Sequence, residues 1–353
     1  MKKSLIVLAA LGAFAGVASA QSSVTLYGRV DLAVSKPVNT KDKGISNGSG
    51  SRFGVRGVED LGGGLSAFFN LEHRFDADTG ASQNFPAGNA GCEAGAVPCA
   101  ATDKTNGYNR FWAARSIVGL QGGFGKITLG REYTTAFLGS QLIADPWGWD
   151  TVASATPALA PGVNTGLNQA LTGGNIARVR NDSSLTYNFS AAGFSAAAQV
   201  AEATDSINGF DKKPFNFSLG YAAGPVMVAL GYEKTGRVGA ASEKWTTLNG
   251  SFDLGAVKLG ALIGSGTTFA NAKNKSYMLT AVAPLGQGEF RASVGKLTSD
   301  PAATAKVDAA KGFALGYHYA LSKRTTLYTD FVRNTGLGIT QKTGYDFGIK
   351  HNF

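Results

Sequence analysis

Past residue 20 the chain has no apolar run long enough to cross a membrane as a helix. Such a helix needs about 20 consecutive apolar residues, and here Gly, Ser, Thr, Asn or a charge intervenes every few positions. Cysteine is almost missing: Cys92 and Cys99 are the only two, and they do not form a C-x-x-C pair, so a thiol-based zinc or redox site is not indicated. Histidine is scarce as well. His73, His318 and His351 lack any companion nucleophile motif such as G-x-S-x-G, which disfavours a hydrolase and leaves them as core or girdle residues. No nucleotide or metal motif occurs, so no cofactor is expected. Lys and Arg outnumber Asp and Glu by 33 to 24, yet no Lys/Arg-rich tract is present, and nucleic acid is not an expected partner.

What the chain does have begins at its start. Lys2 and Lys3 precede an apolar stretch over residues 5–17, and Ala18-Ser19-Ala20 supplies small residues for cleavage before Gln21. This spacing predicts a secretory leader over residues 1–20 and a mature chain over 21–353; the apolar stretch is short for a retained anchor. Cleavage removes two of the nine net positive charges. In the oxidising compartment beyond, Cys92 and Cys99, set in a Gly/Ala/Asn-rich stretch, are expected to form a disulfide within one loop.

Forty-eight glycines, 21 Phe and 11 Tyr accompany a mean hydropathy near zero. That combination fits a membrane β-barrel, whose polar inward positions hide the apolar outward ones from any averaging window. The alternation is visible residue by residue. Val24, Leu26, Val30 and Leu32 share one face, and Thr25, Tyr27, Arg29 and Asp31 share the other. Leu65, Ala67, Phe69 and Leu71 likewise alternate with Ser66, Phe68, Asn70 and Glu72. Turn signals fall at residues 59–64, 121–125, 192–193, 224–225, 253–255, 284–288 and 321–324, with longer polar connections between the hairpins. One opening strand, seven hairpins and one closing strand give about 16 strands, within the even-numbered range of outer-membrane barrels. Such a barrel is too wide for side chains to fill and holds water.

The closing strand covers residues 343–353, with Tyr345, Phe347, Ile349 and Phe353 at period two, broken only by His351. A sandwich strand alternates in the same way. A terminal aromatic strand better suits a closed barrel, whose last strand pairs with its first and removes both edges. One connection, residues 134–177, shows no alternation and carries Pro146, Trp147, Trp149 and Pro161. A segment this long without elements of its own is usually functional or disordered; the two Trp argue for order, and for an inward fold that narrows the lumen.

Four stretches in order carry a family likeness: Ser23-Val-Thr-Leu-Tyr-Gly-Arg-Val-Asp31, Ser51-Arg-Phe-Gly-Val-Arg-Gly-Val-Glu-Asp-Leu-Gly-Gly-Gly-Leu65, Phe124-Gly-Lys-Ile-Thr-Leu-Gly-Arg131 and the closing strand. Together they resemble the Gram-negative general porins of the betaproteobacterial type, over the whole chain. The resemblance implies an all-β fold, a 16-stranded antiparallel barrel with an inward third external loop. It implies a homotrimer in the outer membrane among lipopolysaccharide and lipid, and makes Phe353 part of the signal read by the barrel-assembly machinery. It also implies a basic ladder opposite the loop, and residue by residue that ladder is Arg29, Arg52, Arg131 and Arg180.

Parity puts Arg29, Arg52, Arg56 and Arg180 on the lumen side, but strict alternation from Ile127 and Leu129 puts Arg131 toward lipid. A bulge would re-aim it, and a lipid-facing Arg at mid-depth would cost roughly 2–4 kcal/mol. Asp145 and Asp150 are the only carboxylates in residues 134–177. They either face the arginines across the pore or cap turns. The function so implied is passive diffusion of small hydrophilic solutes with a preference for anions. A substrate-specific channel is the nearest alternative, ahead of a barrel enzyme or an adhesin.

Overall fold

The computed structural model describes residues 23–82, 85–86, 109–154, 170–172, 178–202, 213–237, 240–268, 270–301 and 305–353. The expected leader and the Cys92–Cys99 pair lie outside these residues.

The main sheet has eighteen strands, of which Gly44–Asn47 and Ala81–Ser82 are short additions at the rim. The other sixteen form the wall. They are β1 (Ser23–Lys36), β2 (Arg52–Gly62), β3 (Leu65–Asp76), β4 (Arg115–Gly122), β5 (Gly125–Tyr133), β6 (Arg180–Ala191), β7 (Phe194–Ala201) and β8 (Phe215–Ala223), then β9 (Val226–Arg237), β10 (Ala240–Asp253), β11 (Lys258–Thr267), β12 (Lys273–Leu285), β13 (Gly288–Asp300), β14 (Val307–Ala320), β15 (Thr325–Asn334) and β16 (Thr343–Asn352). Every strand pairs antiparallel with the next. β16 pairs with β1 in a register running from Arg29 opposite Asn352 to Lys36 opposite Tyr345, which closes the barrel. Closure leaves no edge and satisfies the backbone of every wall strand internally, as a lipid environment requires.

The seam depends on one glycine. Phe353 N–H donates to the Gly28 carbonyl and Gly28 N–H to the Phe353 carbonyl. A Cβ at residue 28 would lie 2.3 Å from the Phe353 ring.

The two faces of the wall separate as the period-two pattern requires. Leu26, Val118, Leu129, Ile263, Leu279, Val294 and Phe347 are exposed on the outer face, while Thr128, Thr186, Gln199, Asn216, Thr247, Asn249 and Asp346 are buried on the inner one. Side chains set two of the strand boundaries. β4 starts at Arg115; before it, Phe111 stacks on His73 at 4.1 Å and Ala113 and Ala114 are fully buried in the connection. β12 runs through Pro284 to Leu285, since a proline at the end of a strand next to its hairpin turn forfeits little of the ladder.

A buried apolar cluster lies on the inner face. Trp245, Leu262, Met278, Leu297, Ala310, Ala314 and Val332 come from β10 to β15. They are covered by Trp147, Val152, Ala153, Ala170 and Leu171 from the connection between β5 and β6. This connection starts with a turn of π-helix (Phe137–Gln141), continues into Leu142–Ala144, and forms a second short helix at Thr151–Ser154.

Candidate functional site: an arginine row facing a packed segment

The segment after β5 is fastened at both ends and along its course. Thr134 N–H donates to the Val179 carbonyl and its hydroxyl to the Arg178 carbonyl, which ties departure to return. Thr135 donates to Asn216 on β8. Ser140 meets β10, donating to the Thr247 carbonyl and accepting from the Asn249 amide at 2.9 Å. Further on, Trp147 donates its indole N–H to Asp330 of β15 at 2.6 Å, and Val152 N–H donates to Asp346 of β16 at 3.0 Å. Gly316 makes room for the first of these contacts, because a Cβ there would lie 3.0 Å from the Trp147 indole nitrogen and closer still to Asp330. Thr151 N–H reaches the Gly48 carbonyl. Residues 134–154 thus touch the inner face from β8 round to the β16–β1 seam. Their uncovered side carries Leu138 and Ile143, which are 37% and 46% exposed.

The remaining wall, β1 to β6, carries the arginines, and strand register sets their order. Arg29 lies opposite Arg52, and Arg52 opposite Arg74. Glu72 lies opposite Arg115, and Tyr133 opposite Arg180. Like charges directly opposite destabilise a sheet. Glu72 offsets part of this, with its carboxylate 3.8 Å from Arg52 and 3.9 Å from Arg74. Arg115 pairs with Glu132 at 2.8 Å. Tyr133 takes the rest: its hydroxyl accepts from Arg74 at 3.0 Å and from Arg180 at 2.6 Å, while Arg180 lies 4.2 Å over its ring and Arg115 5.1 Å.

Among the four arginines of the family ladder, the structure separates surface from depth. Arg29 and Arg52 are partly exposed, and so are Arg74 and Arg115. Arg180 is buried behind Tyr133. Arg131 is buried too, with its guanidinium 2.7 Å from Asp182 and donating to the Ala113 carbonyl. The pairing of β5 with β6 shifts register between Asn181 and Ser184, at a point where Gly130 has φ +119°. A Cβ on residue 130 would lie 2.2 Å from the Ser116 carbonyl oxygen, so only glycine fits there.

The two acids of the segment play different parts. Asp145 accepts from Trp147 N–H at 3.1 Å, Trp149 N–H at 2.8 Å and the Ser154 hydroxyl, which folds the chain back through Gly148 and Trp149. Asp150 reaches across to Arg29 at 3.0 Å, and both side chains remain about a quarter exposed. Arg29 also holds Ser49 and Asn352.

Sequence reasoning missed Arg74, Arg115 and Tyr133. Arg74 was the most accessible of these: it lies two residues beyond Glu72, on the face already recognised as polar. The histidines make local contacts. His73 bonds the Phe111 carbonyl and Ser82, His318 pairs with Asp330 at 3.1 Å, and His351 bonds Thr325. Among the described residues, no group of three or more His, Cys, Asp or Glu is placed to hold a metal ion. Between the segment and the turns at residues 122–125, a recess of about 640 Å³ is lined by Arg115, Lys126, Glu132, Tyr133 and Leu138.

A closed barrel of sixteen strands, apolar outside and lined inside by polar side chains, is a transmembrane channel of the bacterial outer membrane. The comparisons with known proteins narrow the class. A family model described as Gram-negative porin matches residues 7–337, and the chain belongs to that family. It is 34% identical to outer membrane porin protein 32 of Delftia acidovorans and 30% identical to an outer membrane porin protein of Bordetella pertussis, in both cases over the full length of both chains. Among solved structures it resembles an anion-selective porin from Comamonas acidovorans, with a TM-score of 0.67 and 29% identity, covering 94% of this chain and all of the other. A trimer form of OmpT from Vibrio cholerae shares the fold, with a TM-score of 0.67 and 16% identity over 94% and 99% of the two chains. The protein is an outer-membrane porin, a channel rather than an enzyme.

Proposed function

We propose that small hydrophilic solutes pass by diffusion between the arginine row and residues 134–154, and that anions pass in preference to cations. The carrying observation is the charge imbalance of the row. Arg29, Arg52, Arg74, Arg115, Arg131 and Arg180 stand against Glu72, Glu132, Asp150 and Asp182. Asp145 caps its own turn on the facing segment, and with its charge counted six arginines still stand against five carboxylates. A net positive row beside low-dielectric walls concentrates anions and repels cations. The anion selectivity of the Comamonas neighbour supports the same sign. Arg29, Arg52, Arg74 and Arg115 act at the surface of the passage; Arg131 and Arg180 add their charge from behind it. Residues 134–154 form the facing wall and narrow the lumen.

Three further readings go with this one. Residues 1–20 are a cleaved leader. The barrel is one of three in a homotrimer among lipopolysaccharide and lipid, as the trimeric neighbour suggests. Phe353, whose ring covers Gly28, belongs to the segment handled by the barrel-assembly machinery.

The test is a planar bilayer under a salt gradient, comparing wild type with the pair Arg52→Ala and Arg180→Ala. The variant's reversal potential is expected to move toward the cation limit and its conductance to rise. A variant with unchanged reversal potential would remove these arginines from the selectivity mechanism.

A further inference from the structure

We infer that Tyr133 is a positioning residue for anion selectivity: it holds the guanidiniums of Arg74 and Arg180 in place without cancelling their charge. This rests on the anion-preferring pore proposed above.

The usual way to fix an arginine is a carboxylate, which binds it in a fork and neutralises it. Arg131 is fixed in this way by Asp182, and Arg115 by Glu132. Tyr133 adds a support of another kind to Arg180 and to Arg74, which also lies 3.9 Å from Glu72. A phenol oxygen has two lone pairs, and here one accepts from Arg74 and the other from Arg180. The ring contributes as well, because its negative face attracts a cation within about 6 Å of the centroid. Arg180 and Arg115 lie within that distance. One side chain that is not a carboxylate therefore contacts three guanidiniums on β3, β4 and β6 and reduces their repulsion.

The position of Tyr133 is itself well fixed. Its carbonyl accepts from Gln199, which also bonds Thr186, Asn181 and Asn216. Its ring stacks on Phe137 at 5.5 Å with an interplanar angle of 15°, and Phe137 in turn meets Trp149 edge-on at 4.8 Å. Phe137 and Trp149 belong to the segment on the facing side. The residue that holds the arginines is thus also the last of β5 and packs on the first turn of that segment, so the two walls share one support. Tyr133 and Arg115 both line the 640 Å³ recess, which places these two beside open space.

The test is Tyr133→Phe, which keeps the ring and the charge count and removes only the acceptor oxygen. In a bilayer under a potassium chloride gradient, the anion-to-cation permeability ratio is expected to fall roughly twofold while conductance stays near wild type, because Arg74, already 3.9 Å from Glu72, is released from the phenol and closes further on that carboxylate. Arg74→Gln is then measured in both backgrounds. If Tyr133 acts through Arg74, the loss caused by Arg74→Gln is smaller when residue 133 is Phe. Tyr133→Gln, with an acceptor but no ring, is expected to keep more anion preference than Tyr133→Leu. A Tyr133→Phe channel with the wild-type permeability ratio, strict additivity with Arg74→Gln, or equal behaviour of the Gln and Leu variants would each overturn the inference. Should wild type itself show no anion preference, the underlying pore reading fails instead, and the two failures are distinct.

Discussion

Removing Trp147 is expected to loosen the inner segment without opening the barrel. The side chain is 3% exposed and packs with Val152, Ala314 and Val332. Truncating a buried Trp to Ala typically costs about 3–5 kcal/mol. Trp147→Phe keeps most of the packing but takes a hydrogen bond from the buried Asp330 carboxylate, worth about 1.5–3 kcal/mol for a charged acceptor. At roughly 1.4 kcal/mol per tenfold, the equilibrium between docked and released segment moves by about 10–100-fold for Phe and about 100–1,000-fold or more for Ala. Val152 to Asp346, Thr151 to Gly48 and Asp150 to Arg29 still hold the neighbouring residues. The wall ladders are untouched, so the barrel is expected to stay folded, as read from a difference in gel migration between unheated and heated samples. Single-channel recordings are expected to show excess current noise for the Phe variant and higher mean conductance for the Ala variant. A folded Trp147→Ala barrel with wild-type conductance and noise would refute the view that residues 134–154 narrow the passage.

Three other outcomes are expected. Gly28→Leu drives a side chain into the Phe353 ring and strains the β1–β16 seam; less folded barrel should reach the membrane, as read from heat-modifiable migration, and wild-type yields would contradict the seam argument. Asp150→Asn frees Arg29 of its ion pair, so the reversal potential should shift further toward the anion limit, whereas a shift toward cations would reverse the sign assigned to that contact. Cys92 and Cys99 should be joined in protein isolated without reductant, with permeation unchanged after reduction; two free thiols by mass spectrometry would rule the bridge out.

Much of the wall is legible from alternation because each strand has one lipid face and one wet face, and the pattern fixes which side chain goes where. Leu26 and Thr25, or Leu129 and Thr128, follow it directly. The apolar cluster inside the barrel does not. Leu262 stands beside Ile263 and Met278 beside Tyr277 and Leu279, and nothing local says that the inner residue of each set will be dry. It is dry because Trp147, Val152 and Leu171 cover it, a contact between residues far apart in the chain. The arginine row falls between these cases. Arg29 and Arg52 can be placed by parity alone. Arg131 cannot, because in its pairing with β4 it keeps the parity of Leu129, yet beside Gly130 its guanidinium is buried against Asp182 and the Ala113 carbonyl. Tyr133 reads as an ordinary strand-end aromatic until the register of β5 and β6 puts it opposite Arg180.

The central claim is that a fixed excess of guanidinium charge selects the ions. The most direct measurement is the reversal potential of the wild-type channel in a planar bilayer, under the same fold gradient of potassium chloride at two mean concentrations. Screening shortens from about 10 Å at 0.1 M to about 3 Å at 1 M. The reversal potential should therefore lie on the anion side at low salt and move toward zero at high salt. A potential on the cation side, or an anion preference that does not weaken with salt, would contradict it.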